Sequence, residues 1–238
     1  MTADPLAPLR DAPERTALIL DVDGTLAPIV ARPELAEVPA TTKAELERLV
    51  RTYLLVACLS GRAGDEAERL VGVNGIRYVG NHGLDLHPDA DLLADRMAAF
   101  RDTIDRPVED KSLTLSYHFR EAPDEQRARD ELEAVAQAAR EAGLGARWGR
   151  KVLEIRPHVA ADKGTAVRVL VEESRANRGL YAGDDATDVD AFAGLASAGL
   201  DYALRVAIGS NEAPISLLAE ADIVVNGPQE FLTLLARL

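Results

Sequence analysis

Three short runs of the sequence place carboxyl and hydroxyl groups close together. Residues 21–25 are Asp-Val-Asp-Gly-Thr, residues 60–62 are Ser-Gly-Arg, and residues 183–185 are Gly-Asp-Asp, with Asp188 shortly after. Each run alone has a plainer explanation, because Asp, Ser and Gly dominate turns. All three follow apolar runs of the kind that forms buried strands, and this joint occurrence is more specific than any one run.

If these runs meet at one place, four or five carboxylates converge there. They cannot all ionise side by side without a cation, because like charges at short range disfavour the charged form. Mg²⁺ is the simplest such cation, since it prefers oxygen ligands and completes its octahedron with water and phosphate. We therefore predict a magnesium site that uses carboxylates of the first and third runs.

The apolar runs that precede these groups indicate a parallel sheet. Helical patterns alternate with short apolar runs at residues 16–22, 53–59, 77–80, 179–182, 204–208 and 223–225. Continuous apolar strands, buried on both faces, are typical of a doubly wound α/β fold. Ligands of such folds bind at the carboxyl ends of the strands, where the three polar runs lie. Two helix starts are predicted from caps, with Thr41 or Thr42 capping one helix and Asp162 another.

The middle of the chain follows a different pattern. Residues 112–119 alternate apolar and polar side chains, as a half-buried strand does, and residues 124–142 form a long amphipathic helical pattern. Two further strands are predicted at 146–148 and 152–155. The sequence thus predicts a doubly wound core, 1–83 and 159–238, with an inserted small α+β unit at 84–158.

Composition narrows the classes of partner. The 238 residues carry a formal net charge of −13 without a basic cluster, which argues against nucleic acid and against an anionic membrane. No apolar run is long enough to span a bilayer, and the first residues lack the apolar segment of a signal peptide. Cys58 is the only cysteine, so no intrachain disulfide is possible. These features predict a cytoplasmic location.

The polar runs resemble the motifs of the haloacid-dehalogenase (HAD) superfamily. Residues 21–26 look like its first motif, Ser60 its second, Lys163 its third and residues 183–188 its fourth, in the expected order. The insertion between the second and third motifs is similar to the C2-type cap of that superfamily. The resemblance covers nearly the whole chain and implies an HAD-like core with an inserted cap.

Longer stretches resemble the trehalose-6-phosphate phosphatase family of that superfamily. They lie at residues 20–29 with Pro33 and Ala36, and at 59–62, 80–83, 109–111, 118–120, 149–157 and 183–188. Two positions depart from the family pattern. Val189 stands where the family usually has Glu, and Phe119 stands where Tyr is common. The resemblance implies a phosphatase that releases phosphate from trehalose 6-phosphate.

The resemblance also implies roles for the core residues. Asp21 would attack phosphorus and form an aspartyl-phosphate, and Asp23 would act as general acid and then as general base. Ser60 would donate a hydrogen bond to the phosphate, and Lys163 would balance its charge. The expected ligands of Mg²⁺ are Asp21, the backbone carbonyl of Asp23, Asp184 and, as alternative or indirect ligands, Asp185 and Asp188.

Recognition of a sugar needs several hydrogen-bonding groups for each ring, and the motifs of the inserted unit supply them. Each such residue alone is explained as an exposed strand residue, but together, at positions that match the family, they favour a sugar-binding surface. The role of Arg62 is open between the phosphate and a carboxylate of the cap. The expected substrate-binding residues are Thr25, Arg62, Lys111, His118, Arg120, Glu154 and Arg156.

Other functions are compatible with the same core chemistry. A related phosphatase could act on sucrose 6-phosphate, on a mannosyl-phosphoglycerate or on a range of sugar phosphates. A phosphomutase would return the phosphoryl group to a sugar, and a silent sugar-phosphate sensor would bind without turnover. Because Asp21 and Asp23 are both present, the sensor is the weaker alternative. A trehalose-6-phosphate synthase is the expected pathway partner.

Overall fold

The computed structural model describes residues 4–30, 32, 35–120, 122–149, 151–211 and 213–238. Pro33 and Arg150, which belong to stretches compared above, lie outside the described residues. The chain divides into a larger unit, Met1–Leu86 with Ala161–Leu238, and a smaller unit, His87–Ala160.

The strands are β1 (Thr16–Leu20), β2 (Leu55–Leu59), β3 (Arg77–Val79), β4 (Glu109–Asp110), β5 (Leu115–His118), β6 (Leu144–Gly149), β7 (Val152–Pro157), β8 (Arg178–Gly183), β9 (Tyr202–Gly209) and β10 (Ile223–Asn226). The helices are α1 (Ala7–Arg10), α2 (Ala40–Thr52), α3 (Gly64–Val71), α4 (Ala90–Arg101), α5 (Glu125–Glu141), α6 (Lys163–Ser174), α7 (Thr187–Ala196), α8 (Ile215–Glu220) and α9 (Gly227–Leu235).

The larger unit is built on a parallel sheet. Within the described residues, six strands pair in the order β10-β9-β8-β1-β2-β3. Leu18 of β1 stands opposite Val56 of β2 on one side and Leu180 of β8 on the other. The chain moves outward from β1 to β3 in one direction and from β8 to β10 in the other. The strand order therefore reverses between β1 and β8, and such a reversal opens a ligand-binding crevice at the carboxyl ends of the strands.

Both faces of this sheet are covered. Leu18 and Leu20 lie in one apolar cluster with residues of α2 and α9, whereas Ile19 lies in another with residues of α6 and α7. All three side chains are fully buried. Burial of one such side chain contributes roughly 1.5–3 kcal/mol. The central strand is therefore held from both sides, which fixes the position of the residue that follows it.

The smaller unit has an antiparallel sheet. Its described strands pair in the order β4-β5-β7-β6. Leu115, Tyr117, Leu153 and Ile155 point to one face and share a buried cluster with side chains of α4 and α5. The residues between them, including Ser116 and Glu154, therefore point to the other face, because successive side chains alternate along a strand.

Some element boundaries differ from those predicted. The strand predicted over 112–119 spans only Leu115–His118, because Asp110 Oδ1 accepts a hydrogen bond from the Ser112 N–H and turns the chain. The cap predicted at Thr41 or Thr42 is wrong, since α2 begins at Ala40 without a side-chain cap. The short elements α1, α8 and β4 were not predicted. Among the described residues, no helix combines the length and apolar character needed to cross a membrane.

Candidate active site

Asp21 is the first residue after β1. Its N–H donates to the carbonyl of Ala182 at 2.9 Å, so the backbone continues the pairing of β1 with β8, and its side chain is buried. The chain then turns through Gly24, which has a φ of +80°. A Cβ at Gly24 would lie 2.1 Å from Asp184 Oδ2. Glycine therefore permits both the turn and the close approach of the Asp184 carboxyl group.

Lys163 is the first residue of α6, and the start of that helix is fixed locally. The Asp162 carboxylate accepts from the Thr165 N–H at 2.7 Å, while the Thr165 hydroxyl accepts from the Asp162 N–H at 2.8 Å. This capping box confirms the predicted cap at Asp162. Lys163 Nζ then donates to Asp21 Oδ1 at 2.9 Å and to Asp188 Oδ1 at 2.7 Å.

Asp188 is fully buried and accepts hydrogen bonds on both oxygens. Besides Lys163, the Tyr181 hydroxyl donates to Oδ1 at 2.6 Å. The backbone N–H groups of Asp184 and Asp185 donate to Oδ2 at 2.8 and 2.9 Å. These four donors use the lone pairs of the carboxylate. Asp188 thus ties Lys163 to the loop that carries Asp184.

The buried cluster of Asp21, Asp184, Asp188 and Lys163 contains more acidic than basic groups. Burial, with the nearby charges of Asp188 and Asp184, raises the pKa of Asp21 well above its usual range, although Lys163 opposes this shift. Burial and the charges of Asp188 and Asp185 raise the pKa of Asp184 to about 7. Burial works against the charge of Lys163, but Asp21 and Asp188 outweigh it and raise the Lys163 pKa. Burial is the main cause of the two carboxyl pKa shifts, and the excess of negative charge in the cluster adds to it.

The close approach of these carboxyl groups is also suited to binding a divalent cation. Carboxylate oxygens of Asp21, Asp184 and Asp188 lie within 4.8 Å of one another. A hard cation among oxygen ligands would relieve the charge that now raises two of these pKa values. Because four donors already hold Asp188, Asp21 and Asp184 are the better-placed ligands. Asp185 is exposed, and its Oδ1 accepts from the N–H and the hydroxyl of Thr187.

Ser60 and Thr25 are the buried hydroxyl groups of the predicted site. Ser60 follows β2 and accepts at Oγ from the Arg62 N–H at 3.1 Å, so the hydroxyl still carries its own proton to donate. Thr25 is fully buried, and among the described residues its Oγ1 has no hydrogen-bond partner. A buried hydroxyl without a partner is costly, which is consistent with a ligand group as its partner.

Asp23 has a different environment from Asp21. Its two oxygens accept from Nε and Nη2 of Arg62, each at 2.7 Å, and Arg62 also pairs with Glu66. The Asp23 side chain is 41% exposed, whereas that of Asp21 is 6% exposed. The two carboxylates of the first motif are therefore directed to different partners, Asp21 to a lysine and Asp23 to an arginine.

The remaining predicted residues lie in the smaller unit. Ser116 of β5 stands opposite Glu154 of β7 in the strand register. Because side chains alternate along a strand, His118 and Arg156 lie on the same face of the sheet as this pair. His118 Nε2 is 2.7 Å from Glu109 Oε2, and Lys111 Nζ is 3.7 Å from the same oxygen. Arg120 is exposed beyond the end of β5. The structure thus places four of these residues on or beside one polar face.

Three further side chains support these groups and were not predicted. Tyr181 holds Asp188, Glu66 holds Arg62, and Glu109 contacts His118. Glu109 lies in a stretch that resembles the family, and this resemblance could have identified it as a site residue. Tyr181 lies inside a buried strand, and Glu66 lies in the first turn of a helix. Their residue types are ordinary at such positions, and only the packed fold brings them to their partners.

Solved structures share this architecture. A trehalose-6-phosphate phosphatase related protein superposes with a TM-score of 0.68 at 23% identity, covering 93% of this chain and 96% of that chain. A haloacid dehalogenase-like hydrolase from Bacteroides thetaiotaomicron superposes with a TM-score of 0.61 at 15% identity, covering 93% and 98%. The larger unit, with its parallel sheet, therefore has an HAD-like α/β fold.

Sequence comparison narrows that class. The family described as trehalose-phosphatase matches residues 19–213. The trehalose-phosphate phosphatase of Mycolicibacterium paratuberculosis is 36% identical over 202 residues, covering 74% of this chain and 50% of that protein. This chain belongs to the trehalose-phosphatase family. It spans about half the length of the curated relatives it matches.

Proposed function

We propose that the protein hydrolyses trehalose 6-phosphate to trehalose and inorganic phosphate. The observation that carries this proposal is the position of Asp21, buried at the end of the central strand, bonded to Lys163 and beside Asp184. A carboxylate held beside an ammonium group and a predicted cation site is suited to attack a phosphate ester. Membership of the trehalose-phosphatase family supports the choice of substrate.

We propose that Mg²⁺ binds through Asp21, Asp184 and the backbone carbonyl of Asp23. Bound there, the ion would neutralise charge on the phosphate and on the attacking carboxylate. Asp188 keeps its four donors and holds Lys163 in place, and Asp185 stabilises the loop through Thr187. These assignments separate the two carboxylates that face the ion from the two that support the site.

In the first step, a carboxylate oxygen of Asp21 forms a bond to phosphorus while the bond from phosphorus to the sugar oxygen breaks. Asp23 gives its proton to that sugar oxygen, which leaves as a hydroxyl group. In the second step, water attacks phosphorus, Asp23 takes the proton of the water, and the bond to Asp21 breaks. Phosphate leaves, and both carboxyl groups return to their starting forms.

The neighbouring groups bind the phosphoryl oxygens. Lys163 already lies 2.9 Å from Asp21, so its charge is next to the bond that forms. Ser60 supplies a hydroxyl proton, and Thr25 supplies a hydroxyl that has no partner among the described residues. Such fixed donors stabilise charge that develops in the transition state without having to reorganise.

The smaller unit is proposed to supply the groups that recognise the sugar. Its polar face carries acceptors and donors close together, with His118, Lys111 and Glu109 already in contact. Glu154 lies opposite Ser116 and Arg147 in the register, so an acceptor is flanked by two donors. Carboxylates and cations in this arrangement suit the several hydroxyl groups of a sugar ring. A C2-type cap, a cytoplasmic location and a synthase as pathway partner stay predictions.

The proposal is tested by phosphate release from a panel of esters in the presence of Mg²⁺. The panel contains trehalose 6-phosphate, sucrose 6-phosphate, glucose 6-phosphate, a mannosyl-phosphoglycerate and an aryl phosphate. We expect a strong preference for trehalose 6-phosphate. A preference for another member would retain the Asp21 chemistry and reject the substrate, whereas no release from any member would reject the phosphatase itself.

A further inference from the structure

Arg62 and Asp23 form a forked ion pair. Nε and Nη2 of the guanidinium donate to Oδ2 and Oδ1 of the carboxylate, and both distances are 2.7 Å. Two parallel charge-assisted hydrogen bonds fix the plane of the carboxyl group as well as its distance. Asp23 is therefore not free to rotate, although its side chain is 41% exposed.

Arg62 is itself held from several directions. Its Nη1 donates to Glu66 Oε1, in the first turn of α3. Its backbone N–H donates to Ser60 Oγ at 3.1 Å, and its carbonyl accepts from the Asn81 N–H at 2.7 Å. The Arg62 side chain is 11% exposed, which is well below that of either acid it contacts. The fork is thus presented to Asp23 from a fixed position.

We propose that Arg62, held by Glu66, is a positioning residue that places Asp23 for proton transfer to the leaving sugar oxygen. This inference rests on the proposed function, in which Asp23 is the acid. The forked pair holds the Asp23 carboxyl group by both oxygens and so fixes its position and its plane. In this role Arg62 affects the proton transfer by positioning Asp23, and it does not bind the phosphate.

Leaving-group chemistry separates this role from phosphate binding. The sugar alkoxide is a poor leaving group and needs a proton from an acid, whereas nitrophenolate leaves without one. A variant with a misplaced Asp23 therefore slows the first step with trehalose 6-phosphate more than with p-nitrophenyl phosphate. Loss of a phosphate ligand slows both, because both esters present the same phosphate.

The experiment measures the first turnover of both esters by rapid quench, with Mg²⁺ present. Arg62→Lys keeps the charge and removes the fork, and Glu66→Gln removes the group that holds Arg62. Asp65→Asn is the matched control, because Asp65 is also acidic, lies in the first turn of α3 and pairs with an exposed arginine, Arg69. Inhibition by inorganic phosphate is measured for each variant.

We expect Arg62→Lys to raise the ratio of the aryl rate to the sugar rate by about tenfold or more. Glu66→Gln should shift the ratio in the same direction by a smaller factor, Asp65→Asn should not shift it, and inhibition by phosphate should be unaltered in all three. Equal losses on both esters, or weaker inhibition by phosphate in Arg62→Lys, would overturn the proposal. If the wild-type protein releases no phosphate from either ester, the proposed function itself fails.

Discussion

Lys163 Nζ lies 2.7 Å from Asp188 Oδ1, and both side chains are almost wholly buried. This contact is shorter than the one from Lys163 to Asp21, at 2.9 Å. Asp188 is thus the acid that fixes the lysine, because its other lone pairs are held by a tyrosine and by two backbone N–H groups. Asp21 shares the lysine and keeps capacity for other partners.

Asp188→Asn is expected to destabilise the fold. The amide has one acceptor oxygen and an NH₂ group where Asp188 meets only donors, so two buried donors lose their acceptor. Each such loss costs about 1–3 kcal/mol, and we expect a loss of roughly 3 kcal/mol in the free energy of unfolding. Urea unfolding measures it, with Tyr181→Phe as the control that removes a single donor. A variant as stable as the wild type would contradict this account of Asp188.

Asp21→Asn should abolish activity without destabilising the fold, in contrast to Asp188→Asn. The Asn oxygen can still accept from Lys163, and its NH₂ group would stand close to the Asp184 carboxyl group. The substitution also removes charge from a cluster that has an excess of acid. We expect phosphate release to be lost while the metal-free protein unfolds at no lower temperature than the wild type. A marked drop in unfolding temperature would show that Asp21 is needed for folding.

The larger fold was predictable from sequence because its strands are apolar throughout. Leu18, Ile19 and Leu20 are buried on both faces of the sheet, and only such a strand is a continuous apolar run. The start of α2 was not predictable from its threonines, because Thr42 is buried and unavailable as a cap. Local propensity gives way there to packing against the sheet.

The candidate site was predictable where motif residues follow strands, and less so where distant residues meet. Asp21, Ser60 and Asp184 could be placed from their positions after apolar runs. The pairing of Arg62 with Asp23 could not, because it joins the ends of two strands through side-chain orientation. The four donors of Asp188 likewise depend on the packed position of Tyr181.

Binding of Mg²⁺ should depend on pH through Asp184. Its pKa in the fold is about 7, and an unfolded Asp titrates near pH 3.9. Between those values the folded protein binds more protons than the unfolded chain, so the stability of the metal-free protein falls as pH rises. The cation competes with that proton. The stabilisation by Mg²⁺ should therefore grow as pH rises through about 7.

The check is a thermal unfolding series from acidic to mildly alkaline pH, with and without Mg²⁺, on the wild type and on Asp184→Asn. In Asp184→Asn, Mg²⁺ should no longer raise the unfolding temperature at any pH. An increase that is equally large below and above neutrality in the wild type would contradict the assignment of Asp184 as a ligand that titrates.

Glu154→Ala should reduce activity on trehalose 6-phosphate more than on an aryl phosphate. The carboxylate lies on the polar face of the smaller unit, and its loss removes hydrogen bonds to a sugar and none to the phosphate. We expect kcat/KM for the sugar ester to fall by about tenfold or more, since a site that hydrogen-bonds a hydroxyl discriminates strongly. Glu141→Ala, on the exposed side of α5, is the control. Equal losses on both esters would remove Glu154 from sugar recognition.

The most direct measurement is a rapid acid quench of the wild-type protein mixed with trehalose 6-phosphate and Mg²⁺, followed by peptide mass mapping. We predict a phosphoryl group on the Asp21 side chain that disappears as inorganic phosphate is released, and no such adduct in Asp21→Asn. Phosphate release without any phosphorylated Asp21, or a phosphoryl group on another residue, would contradict the proposal that Asp21 is the nucleophile.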